Sequence, residues 1–188
     1  MIENTKVLGR IVYNNVFTKE ECTKILSSAV NSNEAYVLDK VVNHDIRKTI
    51  TKEIPLNNDN TWIFNRIFNI VKKVNHKYYN FDIKYLGEVH VLEYQKDHFY
   101  DWHIDLGSSI ATCSRKISAV VFLSDRNDYE GGELDWITPS SVVEDTFSPS
   151  QEQGSMILFP SFMFHKVKPV ISGLRHTLVT WTHGDTFR

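Results

Sequence analysis

His103 and Asp105, inside the stretch HFYDWHIDLGSS (98–109), set a borderline nitrogen donor two positions from a hard carboxylate. In an extended chain, residues i and i+2 point to one face, so both side chains can reach a single ion. Alone the pattern is weak. A chain with eight histidines produces H-x-D by chance, and a second copy occurs at His183-Gly184-Asp185. A third donor separates the two. His165 lies downstream of the first pair in the strand-like run LFPSFMFHKVKPV, whereas the second pair has no third ligand after it and is set aside. Two histidines and one carboxylate are the donor set that holds non-haem Fe(II) on one side and leaves positions open for oxygen chemistry.

Arg175 follows His165 by ten positions. A three-residue hairpin loop at Ile171-Ser172-Gly173, with Gly173 left-handed, pairs Val170 with Leu174 and Pro169 with Arg175. This register predicts that His165, Val167, Pro169, Arg175, Thr177 and Val179 share one face, with Lys166, Lys168 and His176 on the other. An inward guanidinium without a partner is costly, so an anionic group should meet it, best of all a carboxylate held bidentately. A ligand reaching from the metal to Arg175 needs an acid at both ends.

The elements that must position these residues change character along the chain. VFTKEECTKILSSAV carries Thr18 and Glu21 as a capping box, then Cys22, Ile25, Leu26, Ala29 and Val30 as one helical stripe of about three turns. Residues 32–60 read as loops and short edge strands. From Trp62 to Tyr79, the positions Ile63, Phe64, Ile67, Phe68, Val71, Val74 and Tyr78 predict a longer amphipathic helix. After Asn80 come short extended runs separated by turn signals, the pattern of an antiparallel sandwich or barrel. The DRNDYEGG segment (125–132) reads as a hydrophilic turn, and 139–153 as the longest loop of this half. His98 is expected at the surface or rim, and Trp102 and Trp181 in the core.

The 188 residues suit one domain, with helical and edge-strand support over 1–80 and a catalytic barrel over 81–188. A formal net charge of -2 offers no general basic field, which argues against nucleic acid as a partner. Two distant cysteines support neither a disulfide framework nor a zinc ribbon. With no signal-like amino terminus and no apolar run of membrane-spanning length, a soluble cytoplasmic protein is expected.

The order H-x-D, then H, then R ten residues later resembles the Fe(II)- and 2-oxoglutarate-dependent dioxygenases, in their prolyl 4-hydroxylase-like, PKHD-type branch. The resembling text includes LEYQKDHFYDWHID, ISAVVFLSD with YEGGEL, and GSMILFPSFMFHKVKPVISGLRHTLVTW, from Leu92 to Trp181. The resemblance implies a mainly β fold with flanking helices, a double-stranded β-helix or jelly-roll barrel of the cupin type. It places Fe(II) on His103, Asp105 and His165, and the distal carboxylate of 2-oxoglutarate on Arg175. Tyr94 matches a tyrosine that lines the cosubstrate pocket in this family, and Thr177 the hydroxyl position two after the arginine. Where some prolyl hydroxylases carry a tyrosine in a middle strand, this chain has Phe122, so Tyr94, Ser118 or Thr177 must supply any hydroxyl contact. The implied reaction consumes O2 and 2-oxoglutarate, releases succinate and CO2, and hydroxylates a C–H bond, with ascorbate as a possible reductant. A protein or peptide side chain, proline first, is the expected substrate. A free amino acid, small metabolite or nucleobase is the alternative, and an iron- and 2-oxoglutarate-binding sensor without turnover is the rival of another class.

Overall fold

Alternation along four strands decides the architecture. In the computed structural model, which describes residues 9–35, 42–137 and 151–186, β5 (Tyr85–Tyr94), β7 (Arg115–Phe122), β10 (Met156–Pro160) and β13 (Arg175–His183) lie together in one antiparallel sheet. Val89, Val91, Ile117, Ala119, Val121, Met156, Leu158 and Leu178 bury one face of that sheet. The intervening Leu92, Tyr94, Val120, Phe122, Ile157, Phe159 and Val179 bury the other. A sheet apolar on both faces must be covered twice, so its strands read as near-continuous hydrophobic runs.

Helices cover the first face. Helix α1 (Lys19–Ser27) starts at Thr18, whose hydroxyl accepts from the Glu21 amide at 3.2 Å while the Glu21 carboxylate accepts from the Thr18 amide at 3.0 Å. Glu21 also takes Arg66 Nη1 at 2.6 Å, and that guanidinium lies over the rings of Phe17 and Trp62, tying α1 to the next helix. Thr18→Ala is expected to cost about 1 kcal/mol of stability, measurable by denaturant unfolding. Helix α2 (Thr61–Val74) buries Ile63, Ile67, Val71 and Val74 against the sheet. It passes into a π-helical turn, Asn75–Tyr79, ended by Asn80 in the left-handed region at φ 58°. The expected helix to Tyr79 is thus α-helical only to Val74. The α1 stripe is likewise shorter than expected, since Val30 begins strand β2 (Val30–Glu34) and is exposed.

The second face packs on a smaller antiparallel sheet, in the order β3 (Arg47–Lys48), β6 (Phe99–His103), β11 (His165–Val167) and β9 (Leu134–Trp136). Leu134, Trp136 and Val167 join the core between the sheets. β4 (Ile50–Ile54) lies inside the large sheet between β5 and β2, so this part of residues 32–60 is not an edge. β1 (Ile11–Tyr13) closes the opposite edge of the large sheet beside β10.

The hydrophilic 125–132 segment contains a 3-10 turn, Arg126–Asp128, and then a strand, β8 (Tyr129–Gly131), which pairs with β12 (Val170–Gly173). That pairing replaces the expected hairpin. Gly173 is left-handed at φ 76°, as expected, but Val170 faces Gly131 and Arg175 faces Tyr94. Pro169 is exposed rather than inward. His165, Val167, Arg175, Thr177 and Val179 are nonetheless all buried, because β11 and β13 belong to sheets that face each other across one core. The loop expected over 139–153 lies outside the described residues except at 151–153.

Candidate metal centre

β6 ends at His103 and pairs directly with His165 at the start of β11, which sets their imidazoles with centroids 4.1 Å apart. Asp105 lies just beyond β6, where its amide and that of Leu106 both donate to the Ser161 carbonyl at 2.9 Å. The carboxylate then stands 3.8 Å from His103 Nε2 through Oδ1 and 3.7 Å from His165 Nε2 through Oδ2. One donor atom from each of the three residues falls within 4.8 Å of the other two, close enough to share a metal ion. Such a cluster is formed by this triad among the described residues; the His183-Gly184-Asp185 copy is used otherwise. There His183 stacks on Tyr85 and its Nδ1 lies 2.9 Å from the Ser114 hydroxyl.

Backbone carbonyls orient both rings. His103 Nδ1 lies 2.7 Å from the Asp101 carbonyl, and His165 Nδ1 lies 2.9 Å from that of Met163. A carbonyl only accepts, so each Nδ1 carries the hydrogen and each Nε2 keeps its lone pair for a metal. Tyr100 stacks on His103 at 3.5 Å, and Phe159 packs edge-on to His165. Burial, reinforced by His165, pushes the His103 pKa down to about 3, so this imidazole is neutral at pH 7. Burial pushes the Asp105 carboxyl upward, but the two histidines, the Ser118 hydroxyl and Trp181 outweigh it and hold it below the usual range. A neutral His103 beside an ionised Asp105 is the protonation state that metal ligation requires of that pair.

Ser118, pointing inward from β7, donates to Asp105 Oδ2 at 2.6 Å and lies 3.0 Å from Ser161 Oγ. Its hydroxyl is therefore engaged with Asp105, which removes Ser118 from the candidate contacts to a cosubstrate. Trp181 also helps to hold the Asp105 carboxyl down, so it is more than the core residue expected from sequence. Period-2 alternation puts Ser118 and Trp181 on the inner face, but neither type at that spacing points to a carboxylate supplied by another sheet. His98, expected at the rim, is buried, with Nδ1 lacking a partner.

Arg175 opens β13 and is 1% exposed, and none of its three guanidinium nitrogens has a hydrogen-bond partner. It lies across from Tyr94 in register, with Cζ 5.1 Å from that ring and 5.8 Å from Phe122. Thr177, two residues on, is also buried and faces the same core. The paired glycines of YEGGEL make this possible: a Cβ on Gly132, at φ 66°, would stand 2.7 Å from Arg175 Cδ. A buried cation flanked by aromatic rings and lacking an acid is a site waiting for an anion. By contrast, the crevice of about 870 Å³ lined by Phe17, Lys19, Arg66 and Asp125 shares no residue with the triad, and Lys19–Asp125 and Arg66–Glu21 form ion pairs in it.

Residues 89–183 match the family model described as the 2OG-Fe(II) oxygenase superfamily. The chain belongs to that superfamily. Its relatives include a PKHD-type hydroxylase of Xylella fastidiosa, 32% identical over 100 residues, a match covering 47% of this chain and 40% of that protein. The chain thus aligns with about two fifths of the length of the curated relatives it matches. The fold is similar to a solved Pseudomonas putida prolyl-4-hydroxylase (TM-score 0.73, 20% identity, 95% of this chain and 94% of the other). It is also similar to a Trichoplax adhaerens prolyl hydroxylase solved with a hypoxia inducible factor peptide fragment (TM-score 0.75, 18% identity, 94% and 84%). The donor set fits the superfamily's iron: two imidazoles and one carboxylate bring one donor atom each within 4.8 Å of one another. The orphaned guanidinium of Arg175 fits its 2-oxoglutarate, a dicarboxylate. No helix among the described residues is long and apolar enough to cross a membrane.

Proposed function

We propose that the chain is a single oxygenase domain over 1–188, its two facing sheets forming a jelly-roll barrel that hydroxylates an unactivated C–H bond. In this reading His103, Asp105 and His165 hold Fe(II), and Arg175 takes the distal carboxylate of 2-oxoglutarate, with Tyr94 and Thr177 lining the same pocket. The single observation that carries it is the buried Arg175 guanidinium without an acid, facing the core that also holds the triad. When bound, iron and 2-oxoglutarate supply the oxidising chemistry with O2, and succinate and CO2 are the by-products. The chain's own residues do the rest by position. The Asp101 and Met163 carbonyls fix the imidazole tautomers, Ser118 and Trp181 hold the carboxylate, and the rings of Tyr100 and Phe159 keep water from the histidines.

A protein or peptide side chain, with proline first, is the proposed substrate class, supported by the relatives' PKHD-type name and by the peptide bound to a fold neighbour. The test is to offer peptides, free amino acids and oligonucleotides in parallel and to search by mass spectrometry for the gain of one oxygen atom. A gain confined to peptides supports the reading, and a gain in another class alone replaces it. Ser118→Ala is expected to weaken metal binding by about 10–100-fold, as loss of an outer partner to a ligating carboxylate does. Titration with Mn(II) checks this, and Ser118→Thr should restore most of the loss.

A further inference from the structure

We propose that Ser124 is a positioning residue for Arg175: its hydroxyl ties down the backbone on both sides of the arginine and so fixes where the guanidinium points. This rests on the oxygenase reading above, in which Arg175 takes the distal carboxylate of 2-oxoglutarate.

The run ISAVVFLSD is strand-like, and β7 ends within it at Phe122, opposite Thr177. Arg175 opens β13 two residues beyond that last pair. The Leu123 amide adds one more backbone bond, to the His176 carbonyl at 3.0 Å. The backbone groups of alternate residues point to the same side of a strand, so Leu174 and His176 turn theirs toward β7 and Arg175 turns its own toward Tyr94 of β5. There the buried Ser124 side chain takes over from the ladder. Its hydroxyl donates to the Leu174 carbonyl at 3.2 Å and accepts from the His176 amide at 2.7 Å. One hydroxyl, which both donates and accepts, thus does what the amide and carbonyl of a further strand residue would do.

Arg175 needs such a clip. None of its three guanidinium nitrogens has a partner, so no bond of its own fixes its direction. Leu174 lies in neither β12 nor β13, and Gly173 before it is left-handed. A small rotation at the start of β13 is magnified at the tip of a long side chain, and a group that grips a carboxylate works only when its surroundings hold it in place.

The hydroxyl is itself oriented from behind. By alternation, Glu93 and His176 point away from the face that carries Tyr94 and Arg175. Burial pushes the Glu93 carboxyl up, but Lys52 at 2.8 Å, Gln95 at 2.9 Å and His176 outweigh it and bring its pKa down to about 2. Burial also lowers the His176 pKa, so its ring is neutral at pH 7. An ionised carboxylate only accepts, so His176 Nε2, 3.4 Å from Glu93, carries the hydrogen and Nδ1 turns its lone pair to the Ser124 hydroxyl, also at 3.4 Å. The Leu174 carbonyl is nearer, so the hydroxyl hydrogen stays with the backbone.

The experiment titrates 2-oxoglutarate by calorimetry into the Mn(II) forms of the parent, Ser124→Ala, Ser124→Thr, Arg175→Met and the double variant with both Ser124→Ala and Arg175→Met. Ser124→Ala should bind about tenfold more weakly with Mn(II) affinity unchanged, and Ser124→Thr, which keeps the hydroxyl, should recover most of the loss. In the Arg175→Met background Ser124→Ala should cost nothing further, because a residue that acts through the arginine has nothing left to position. In the ligand-free protein, hydrogen exchange at the His176 amide should be about tenfold faster in Ser124→Ala. Parent-like 2-oxoglutarate affinity or amide exchange in Ser124→Ala, a matching loss of Mn(II) affinity, or an equal further loss in the double variant overturns the proposal and leaves the oxygenase reading standing. No binding by the parent, or parent-like binding by Arg175→Met, overturns that reading and the proposal with it.

Discussion

Replacing Arg175 with methionine is expected to weaken 2-oxoglutarate binding by at least about a hundredfold, or about 2.7 kcal/mol, while leaving the melting temperature unchanged or raised. The two effects have opposite signs for one physical reason. The guanidinium is 1% exposed and its three nitrogens have no partner, so the ligand-free protein carries a desolvated charge that nothing offsets. Methionine fills similar space between Tyr94, Phe122 and Gly132 without that cost. A dicarboxylate then loses the bidentate contact that would have answered the charge. Calorimetry on the Mn(II) form measures the first effect and a thermal melt the second. An unchanged affinity would show that the cosubstrate is held elsewhere. A large drop in melting temperature would show that Arg175 has a structural partner.

His165→Ala is expected to reduce Mn(II) or Fe(II) affinity by well over the 10–100-fold that loss of an outer-shell partner costs, because it removes one of three donors outright. The remaining pair, His103 Nε2 and Asp105 Oδ1, stand 3.8 Å apart, a poor chelate for an ion that needs a face of three. His103→Ala should behave alike, since Tyr100 and the Asp101 carbonyl hold its ring in a single orientation. Equilibrium metal titration of the variants decides the matter, with circular dichroism to confirm that each is folded. Parent-like affinity in either variant would place the metal elsewhere.

The triad could be read from sequence because its chemistry is local. His103 and Asp105 are two apart on an extended segment, and His165 sits in an equally recognisable strand. The hairpin assumed between His165 and Arg175 is absent, since β11 pairs with β6 and β9, β12 with β8, and β13 with β5 and β7. Arg175 faces inward all the same, because alternation along β13 holds whichever strands lie beside it. Pairing between distant strands is set by the whole core, and one chain's pattern does not reveal it. For the same reason the actions of Ser118 and Trp181 on Asp105 were not legible: each joins residues on different strands through types common in any core. The burial of His98 was hidden likewise, because the β12 residue Val170, whose amide bonds the His98 carbonyl, lies far along the chain.

In the proposed function the triad and Arg175 together turn over 2-oxoglutarate. That turnover is tested most directly by measuring succinate formed from 2-oxoglutarate by the parent protein and by His103→Ala, with Fe(II) and O2 supplied or withheld. Succinate that requires Fe(II) and O2 and vanishes in His103→Ala is the predicted result. No succinate from the parent, or equal amounts from the variant, would contradict it.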